Sequence, residues 1–131
     1  MGNSPLDSRG LPEGYEFREG DEITPGECLD RLNDPSDPTV LLDVREDDEL
    51  RIASIDGAIH RPLGTLMEHH EDLADDLESG RDTPIAVICH HGVRSLRATL
   101  ALRALGFADV VSVAGGIDLW SRGIDPSVPR Y

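Results

Sequence analysis

One short stretch in the second half of the chain constrains the fold more than any other. It begins with the apolar run Ile-Ala-Val-Ile at residues 85–88, which is typical of a strand buried on both faces. Apolar residues then recur at helical spacing over residues 94–105, and Gly106 follows where such a helix would end. Cys89 therefore stands where a buried strand passes into a helix, at the edge where parallel α/β sheets bind ligands.

The loop after Cys89 has the features of an anion-binding site. Gly92 allows a backbone turn that a side chain would obstruct, so successive N–H groups can converge on one point. The start of the predicted helix adds partial positive charge and favours the thiolate, and Arg94 adds a cation that is always protonated at neutral pH. A lone cysteine is more often a small core residue, but this combination predicts a nucleophile.

The six residues from Cys89 to Arg94, Cys-His-His-Gly-Val-Arg, resemble the active loop of the rhodanese (thiosulfate sulfurtransferase) family, in which a cysteine is followed by four residues and an arginine. Residues 125–131 are similar to the end of the rhodanese domain fused to E1-like adenylyltransferases of molybdopterin and thiamine synthesis. We expect the domain to stand here without that adenylyltransferase. The resemblance covers roughly residues 20–131 and includes residues 41–46, 56–63, 106–107 and 113–120.

The resemblance implies that Cys89 is the catalytic nucleophile and carries a persulfide during turnover. It also implies that Arg45, just after the second predicted strand, helps to position the substrate. Asp43, two residues earlier, is explained as well by a strand-end turn, and Ser95 supplies either a hydroxyl to the sulfur or only the start of a helix. The loop residues expected to bind the donor and the persulfide are His90, His91, Gly92, Val93, Arg94 and Ser95.

The implied reaction moves a sulfane sulfur from thiosulfate or a persulfide donor, through Cys89, to a thiophilic acceptor such as cyanide, a thiol or a sulfur-carrier protein. No cofactor is implied. Candidate partners are a ubiquitin-like sulfur carrier, an E1-like adenylyltransferase and a cysteine desulfurase, which would load the cysteine directly.

Two other functions fit parts of the same pattern. A phosphatase or arsenate reductase of the same fold also has a loop from Cys to Arg, but the phosphatases have one more residue, which admits a tetrahedral phosphate. A protein-interaction or sulfur-relay module with little thiosulfate activity would have the same fold. A purely non-catalytic module would normally have lost Cys89.

Strand and helix patterns alternate along the chain, which predicts parallel pairing and right-handed crossovers. The resemblance implies the same architecture, a three-layer rhodanese-like α/β domain with a five-stranded, mainly parallel sheet and helices on both faces. Residues 1–14 are expected to form a flexible tail, and residues 15–131 one domain. Strands are predicted within residues 15–23, 39–44, 57–60, 85–88 and 109–113, and helices at residues 25–32, 45–51, 65–77 and 94–105 and after Gly116.

The chain has 131 residues and a formal net charge of −14, which disfavours binding to nucleic acids and to anionic membranes. No apolar run approaches the length of a membrane span, and the first 20 residues lack the apolar core of a leader. Two cysteines are too few for a disulfide framework, and a functional thiol favours a reducing compartment. We therefore expect a cytoplasmic protein.

No acidic residue occurs between Thr83 and Ala108, so Arg94 has no acidic neighbour in the sequence. This pattern predicts that Arg94 is available to bind an anion. Adjacent histidines, at residues 69–70 and 90–91, cannot both face one ion in a helix or strand, so no metal site is expected. Cys28, on a predicted helix, is interpreted as a core or surface residue rather than a second reactive thiol.

Overall fold

The computed structural model describes residues 5–131, which contain five strands. They are β1 (Glu22–Ile23), β2 (Val40–Asp43), β3 (Ile59–His60), β4 (Ile85–Ile88) and β5 (Val110–Val113). The strands form one sheet in the order β1-β5-β4-β2-β3, and every neighbouring pair is parallel. The predicted fold class is thus confirmed, with β4 as the central strand between β5 and β2.

The helices are α1 (Pro25–Asn33), α2 (Asp47–Ile52), α3 (Leu63–Glu68), α4 (His70–Asp76), α5 (Val93–Ala104) and α6 (Gly116–Gly123), with a 3₁₀ turn at Gly80–Asp82. Among the helices described in residues 5–131, none has the length and hydropathy needed to cross a bilayer.

The side chains of β4 alternate between two cores, one on each face of the sheet. Ile85 and Val87 pack with apolar residues of α3, α4 and α5, whereas Ala86 and Ile88 pack with residues of α1 and α6. Because both faces are covered, the strand is apolar at every position, as the sequence pattern indicated. The carboxyl end of β4 is therefore held from both sides, and Cys89 follows directly.

Helix α1 begins as its sequence predicts. The hydroxyl of Thr24 accepts a hydrogen bond from the Glu27 N–H at 3.1 Å, and the Glu27 carboxylate accepts one from the Thr24 N–H at 2.9 Å. Pro25 occupies the first helical position, where its missing N–H costs nothing. This reciprocal capping fixes the point at which the chain turns away from β1.

The helix predicted over residues 65–77 is wrong in one respect, because the structure divides it into α3 and α4. His69 separates the two with non-helical backbone angles, φ −127° and ψ 37°. Leu66 and Leu73 both remain buried on the sheet. No proline or glycine marks this break, so the hydrophobic pattern alone describes one continuous helix.

Part of the segment predicted as a flexible tail, residues 1–14, contacts the core. Leu11 is 1% exposed and contacts the apolar cluster that contains Ala114 and Leu119. The Asp7 carboxylate accepts hydrogen bonds from two backbone N–H groups, which stabilises the turn that delivers Leu11. Leu6 packs against the same cluster, and the polar composition of the segment did not predict either contact. Residues 1–4 of the expected tail lie outside the described range.

Arg45 and Asp43 form a buried ion pair at the carboxyl end of β2. The Arg45 side chain is 0% exposed and that of Asp43 is 1% exposed, with Nη2 2.7 Å from Oδ2. Arg45 also donates to the Ala53 carbonyl at 2.8 Å and to the Tyr131 hydroxyl at 2.9 Å. These bonds tie β2 to the segment after α2 and to the end of the described chain.

We predict that Arg45→Met lowers the free energy of unfolding by about 3–5 kcal/mol, because it leaves the Asp43 carboxylate buried without its counter-ion. Urea denaturation measures the change. Arg51→Met, at an exposed position of α2, is the matched control and should change stability by less than about 0.5 kcal/mol. The double variant Asp43→Asn/Arg45→Met should be more stable than Arg45→Met alone, and the opposite order would contradict the argument.

Candidate active site

Cys89 lies at the floor of the loop between β4 and α5, with a side chain that is 1% exposed. Its Sγ accepts hydrogen bonds from the Gly92 N–H at 3.1 Å and the Ser95 N–H at 3.3 Å. The Ser95 hydroxyl is 3.3 Å from Sγ and 2.8 Å from the hydroxyl of Ser112. A serine hydroxyl can accept from a thiol or donate to a thiolate, so all three groups suit a negatively charged sulfur.

The Cys89 sulfur takes the place of a side-chain N-cap for helix α5. The first N–H groups of a helix have no partner within it, and here Sγ satisfies the N–H of Ser95, the third residue of α5. Gly92 precedes the helix with φ +101°, a conformation that favours glycine, and a Cβ there would lie 3.2 Å from the Gly115 nitrogen. Glycine is therefore required for the turn that aims these amides.

Helix α6 fixes the other side of the loop. The Ile117 N–H donates to the Cys89 carbonyl at 2.8 Å, and the Asp118 N–H donates to the His90 carbonyl at 3.2 Å. The approach is so close that a Cβ on Gly116 would lie 2.3 Å from the Cys89 carbonyl oxygen. The start of α6 thus determines how the peptide groups of the loop are oriented.

The sequence that forms this loop and most of the sheet identifies the family of the chain. The family model of the rhodanese-like domain matches residues 24–123, which include every strand after β1 and the whole loop. The chain belongs to the rhodanese-like family.

Curated relatives and a solved structure agree with this assignment. The chain is 35% identical over 129 residues to the adenylyltransferase and sulfurtransferase MOCS3-1 of Zea mays, covering 98% of this chain and 27% of that protein. It is 36% identical over 119 residues to the probable adenylyltransferase/sulfurtransferase MoeZ of Mycobacterium tuberculosis, covering 91% and 29%. The chain thus spans less than a third of the length of these relatives. A rhodanese-related protein of Thermoplasma volcanium superposes with a TM-score of 0.68 and 34% identity, over 85% of this chain and 99% of that one.

Arg94, at the end of the rhodanese loop, has an acidic partner, so the expectation that it lacks one is wrong. Its Nη1 and Nη2 donate to the two carboxylate oxygens of Glu49, at 2.5 and 2.9 Å. The partner belongs to α2 and is 45 residues away in sequence, so the acid-free window around Arg94 did not predict it. Arg103, in the same window, is likewise 2.7 Å from Asp21.

Tyr131 links the predicted site residues to one another. Its hydroxyl donates to Glu49 at 2.8 Å and accepts from Arg45 at 2.9 Å, and its ring stacks on His90 with centroids 3.8 Å apart. The Tyr131 carbonyl is 2.8 Å from His90 Nε2. Arg45 therefore reaches the loop through Tyr131 and Glu49, and its burial leaves no direct path to a substrate. The sequence marked this closing segment as similar to the family but predicted no contact for Tyr131.

Tyr15, which sequence reasoning also missed, supports the loop from the side of β1. Its hydroxyl donates to the buried Glu22 carboxylate at 2.7 Å and accepts from the Gly115 N–H at 2.9 Å. Burial and the neighbouring Glu22 raise the pKa of Tyr15, so its hydroxyl stays protonated. Gly115 packs against Gly92, so Tyr15 holds the backbone that the cysteine loop rests on.

The remaining predicted loop residues lie at its rim. The side chains of His91 and Val93 are exposed to solvent, that of Val93 to 66%, so neither packs in the core around the sulfur. His90 stacks between His91 and Tyr131, and its burial lowers its pKa, with a smaller contribution from His91. The His90 ring is therefore mainly neutral at pH 7 and adds no charge to the loop.

Cys28 is a residue of α1, is 0% exposed and packs in the core on that face of the sheet. Burial raises the pKa of its thiol to about 12, so the thiol remains protonated at neutral pH and is a poor nucleophile. Within residues 5–131, no three side chains of His, Cys, Asp or Glu come together in a group that could hold a metal ion.

We predict that Gly116→Ala lowers the free energy of unfolding by about 2–4 kcal/mol, because the added methyl group requires the Cys89 carbonyl to move and φ at residue 116 is +62°. Denaturant titration measures this loss. Gly64→Ala is the control, since a Cβ at Gly64 meets nothing within 4 Å, and it should leave stability unchanged or raise it by up to about 1 kcal/mol. Equal losses in the two variants would refute the steric argument.

We also predict a pH dependence from Glu49. Its hydrogen bonds with Arg94, and secondarily with Tyr131, lower its pKa from 4.5 to about 2. A carboxylate whose pKa is lower in the folded state stabilises the fold above its unfolded pKa and loses that contribution as the pH falls through the folded pKa. Glu49→Gln should therefore lower the free energy of unfolding by about 1–3 kcal/mol from pH 7 to 5, with the difference disappearing between pH 4.5 and 2. Urea titrations across this range test it, and a constant difference would contradict it.

Proposed function

We propose that this rhodanese-like domain is a sulfurtransferase that carries a sulfane sulfur as a persulfide on Cys89. The observation that carries the proposal is the convergence of two backbone N–H groups on Sγ. That of Gly92, inside the six-residue loop from Cys89 to Arg94, is at 3.1 Å, and that of Ser95, directly after the loop, is at 3.3 Å. Such donors stabilise a thiolate before the reaction and a persulfide anion after it, without reorganising. The sulfurtransferase names of the relatives support the same chemistry.

In the first half-reaction, the thiolate of Cys89 attacks the outer sulfur of the donor. A new S–S bond forms at Cys89 while the bond between the two donor sulfurs breaks, and its electron pair leaves with the inner sulfur. Thiosulfate releases sulfite in this step, and a persulfide releases a thiol after protonation. The N–H groups of Gly92 and Ser95 and the Ser95 hydroxyl are positioned to stabilise the anionic product, and the backbone of His90, His91 and Val93 completes the loop around it.

In the second half-reaction, a thiophilic acceptor attacks the terminal sulfur and Cys89 returns to the thiolate. Cyanide or a small thiol serves in vitro, and a ubiquitin-like sulfur carrier is the proposed acceptor in the cell. The relatives named as adenylyltransferase and sulfurtransferase support an E1-like adenylyltransferase as a partner, and a cysteine desulfurase is the proposed protein donor. Because the reaction needs a reduced thiol, we place it in the cytoplasm.

A second candidate, a sulfur-relay module with little thiosulfate activity, is favoured by the pairing of Arg94 with Glu49. A guanidinium already bonded to a carboxylate on two nitrogens is a weaker site for a small dianion. The same pairing, together with the short loop, argues against a phosphatase, which needs its arginine for the phosphate.

We predict that incubation with cysteine persulfide or thiosulfate adds one sulfur atom to the native protein, detected as a mass increase by intact-protein mass spectrometry. Cys89→Ser should remain unmodified, because it lacks the sulfur to which the loop N–H groups donate. Cys28→Ser is the matched control and should load like the native protein, since its thiol is buried and protonated. Sulfur that persists in Cys89→Ser, or no sulfur uptake from either donor, would overturn the proposal.

A further inference from the structure

The cation of the loop is already neutralised within the protein. Arg94 and Glu49 form a two-pronged ion pair, with side chains that are 31% and 17% exposed. A fork-to-fork contact between guanidinium and carboxylate is both strong and directional, so it fixes the planes of both groups. An anion that approaches Cys89 therefore meets a paired cation rather than an open one.

The Glu49 carboxylate is held next to Arg94 by further hydrogen bonds. Its carboxylate accepts hydrogen bonds from Arg94, from the Tyr131 hydroxyl at 2.8 Å and from the Glu46 N–H at 3.2 Å. Tyr131 is in turn held by Arg45 at 2.9 Å and by its stacking on His90. The negative charge beside the loop is thus a fixed feature of the fold and does not depend on a mobile side chain.

The effect of this fixed carboxylate on the binding of a sulfur donor depends on the charge of the donor. Thiosulfate carries two negative charges and releases sulfite, also a dianion, so both binding and departure take place beside Glu49. A persulfide brings at most one negative charge on its reacting sulfur, which the N–H groups of Gly92 and Ser95 can receive without the guanidinium. Like charges in a partly desolvated site repel strongly. The Glu49 carboxylate therefore weakens the binding of thiosulfate more than the binding of a persulfide.

We propose that Glu49 is a specificity-determining residue which, held by Tyr131, withholds Arg94 from doubly charged donors and so selects persulfides over thiosulfate. The inference rests on the proposed function, because it concerns the donor of the same Cys89 reaction. The preferred step is balanced without any redox partner. The Cys89 thiolate attacks the outer, protonated sulfur of the donor persulfide, and the donor S–S bond breaks with its electron pair on the inner sulfur. The proton then passes from the transferred sulfur to the departing thiolate, which leaves a persulfide anion on Cys89 and a free thiol.

The test compares the rates of single-turnover sulfur loading of Cys89 from thiosulfate and from cysteine persulfide, followed by quenching and intact-protein mass spectrometry. The measured quantity is the ratio of the thiosulfate rate to the persulfide rate. We expect Glu49→Gln to raise this ratio by about tenfold or more, because Arg94 then becomes available to the dianion. Adding Arg94→Gln to that variant should abolish the gain.

Asp48→Asn is the matched control. It removes the same charge from the neighbouring, exposed position of α2 but leaves the pairing of Arg94 intact, so the ratio should stay within about twofold of the native value. Tyr131→Phe retains the ring and loses only the hydroxyl bonds to Glu49 and Arg45, and it should raise the ratio by about threefold. It carries the test if Glu49→Gln does not fold.

Three results would overturn one proposal or the other. A ratio unchanged in both Glu49→Gln and Tyr131→Phe, with the native protein loading normally, refutes the role of Glu49 and leaves the sulfurtransferase standing. A ratio raised equally in Asp48→Asn refutes it as well, because general charge would then suffice. Failure of the native Cys89 to load from either donor refutes the proposed function itself.

Discussion

The hydrogen bonds from the first turn of α6 to the carbonyls of Cys89 and His90 determine the geometry of the site. Once these carbonyls point towards α6, the peptide groups that follow can direct their N–H groups to the sulfur. The contact requires two backbones to approach more closely than a side chain at Gly116 would permit. Since α6 is anchored in the core by Ile117 and Trp120, the packing of the core fixes the backbone around the Cys89 thiol.

The site combines strong local stabilisation of an anion with an acidic surrounding. Two amides, a hydroxyl and the start of α5 favour negative charge on the sulfur, whereas Glu49 cancels the charge of Arg94 and the chain as a whole carries −14. For the proposed sulfur transfer, this arrangement favours a persulfide anion attached to Cys89 over an anionic donor that is recruited from solution. That distinction separates a carrier of sulfur from an enzyme that collects it as a free ion.

The sequence predicted those features that depend on neighbouring residues. The apolar run of β4, Gly92 and the helical pattern after it predicted the position of Cys89 at the sheet edge, and the helix predicted over residues 25–32 begins at Pro25, as α1 does. The contacts that join distant segments were not predictable in this way. Arg94 meets Glu49 across 45 residues, and the break at His69 has no breaker residue to mark it. Such features arise from tertiary packing, which local patterns do not encode.

The two tyrosines that brace the loop lie outside the region that matches the family, residues 24–123. Tyr15 supports Gly115 from before this region, and Tyr131 holds His90 and Glu49 from after it. A protein trimmed to the matching region would keep the cysteine, the amides and the arginine but lose both braces. Two members of the family with identical loops can thus differ in the reactivity of the cysteine, because their flanking segments hold the loop differently. A comparison restricted to the common domain does not include those segments.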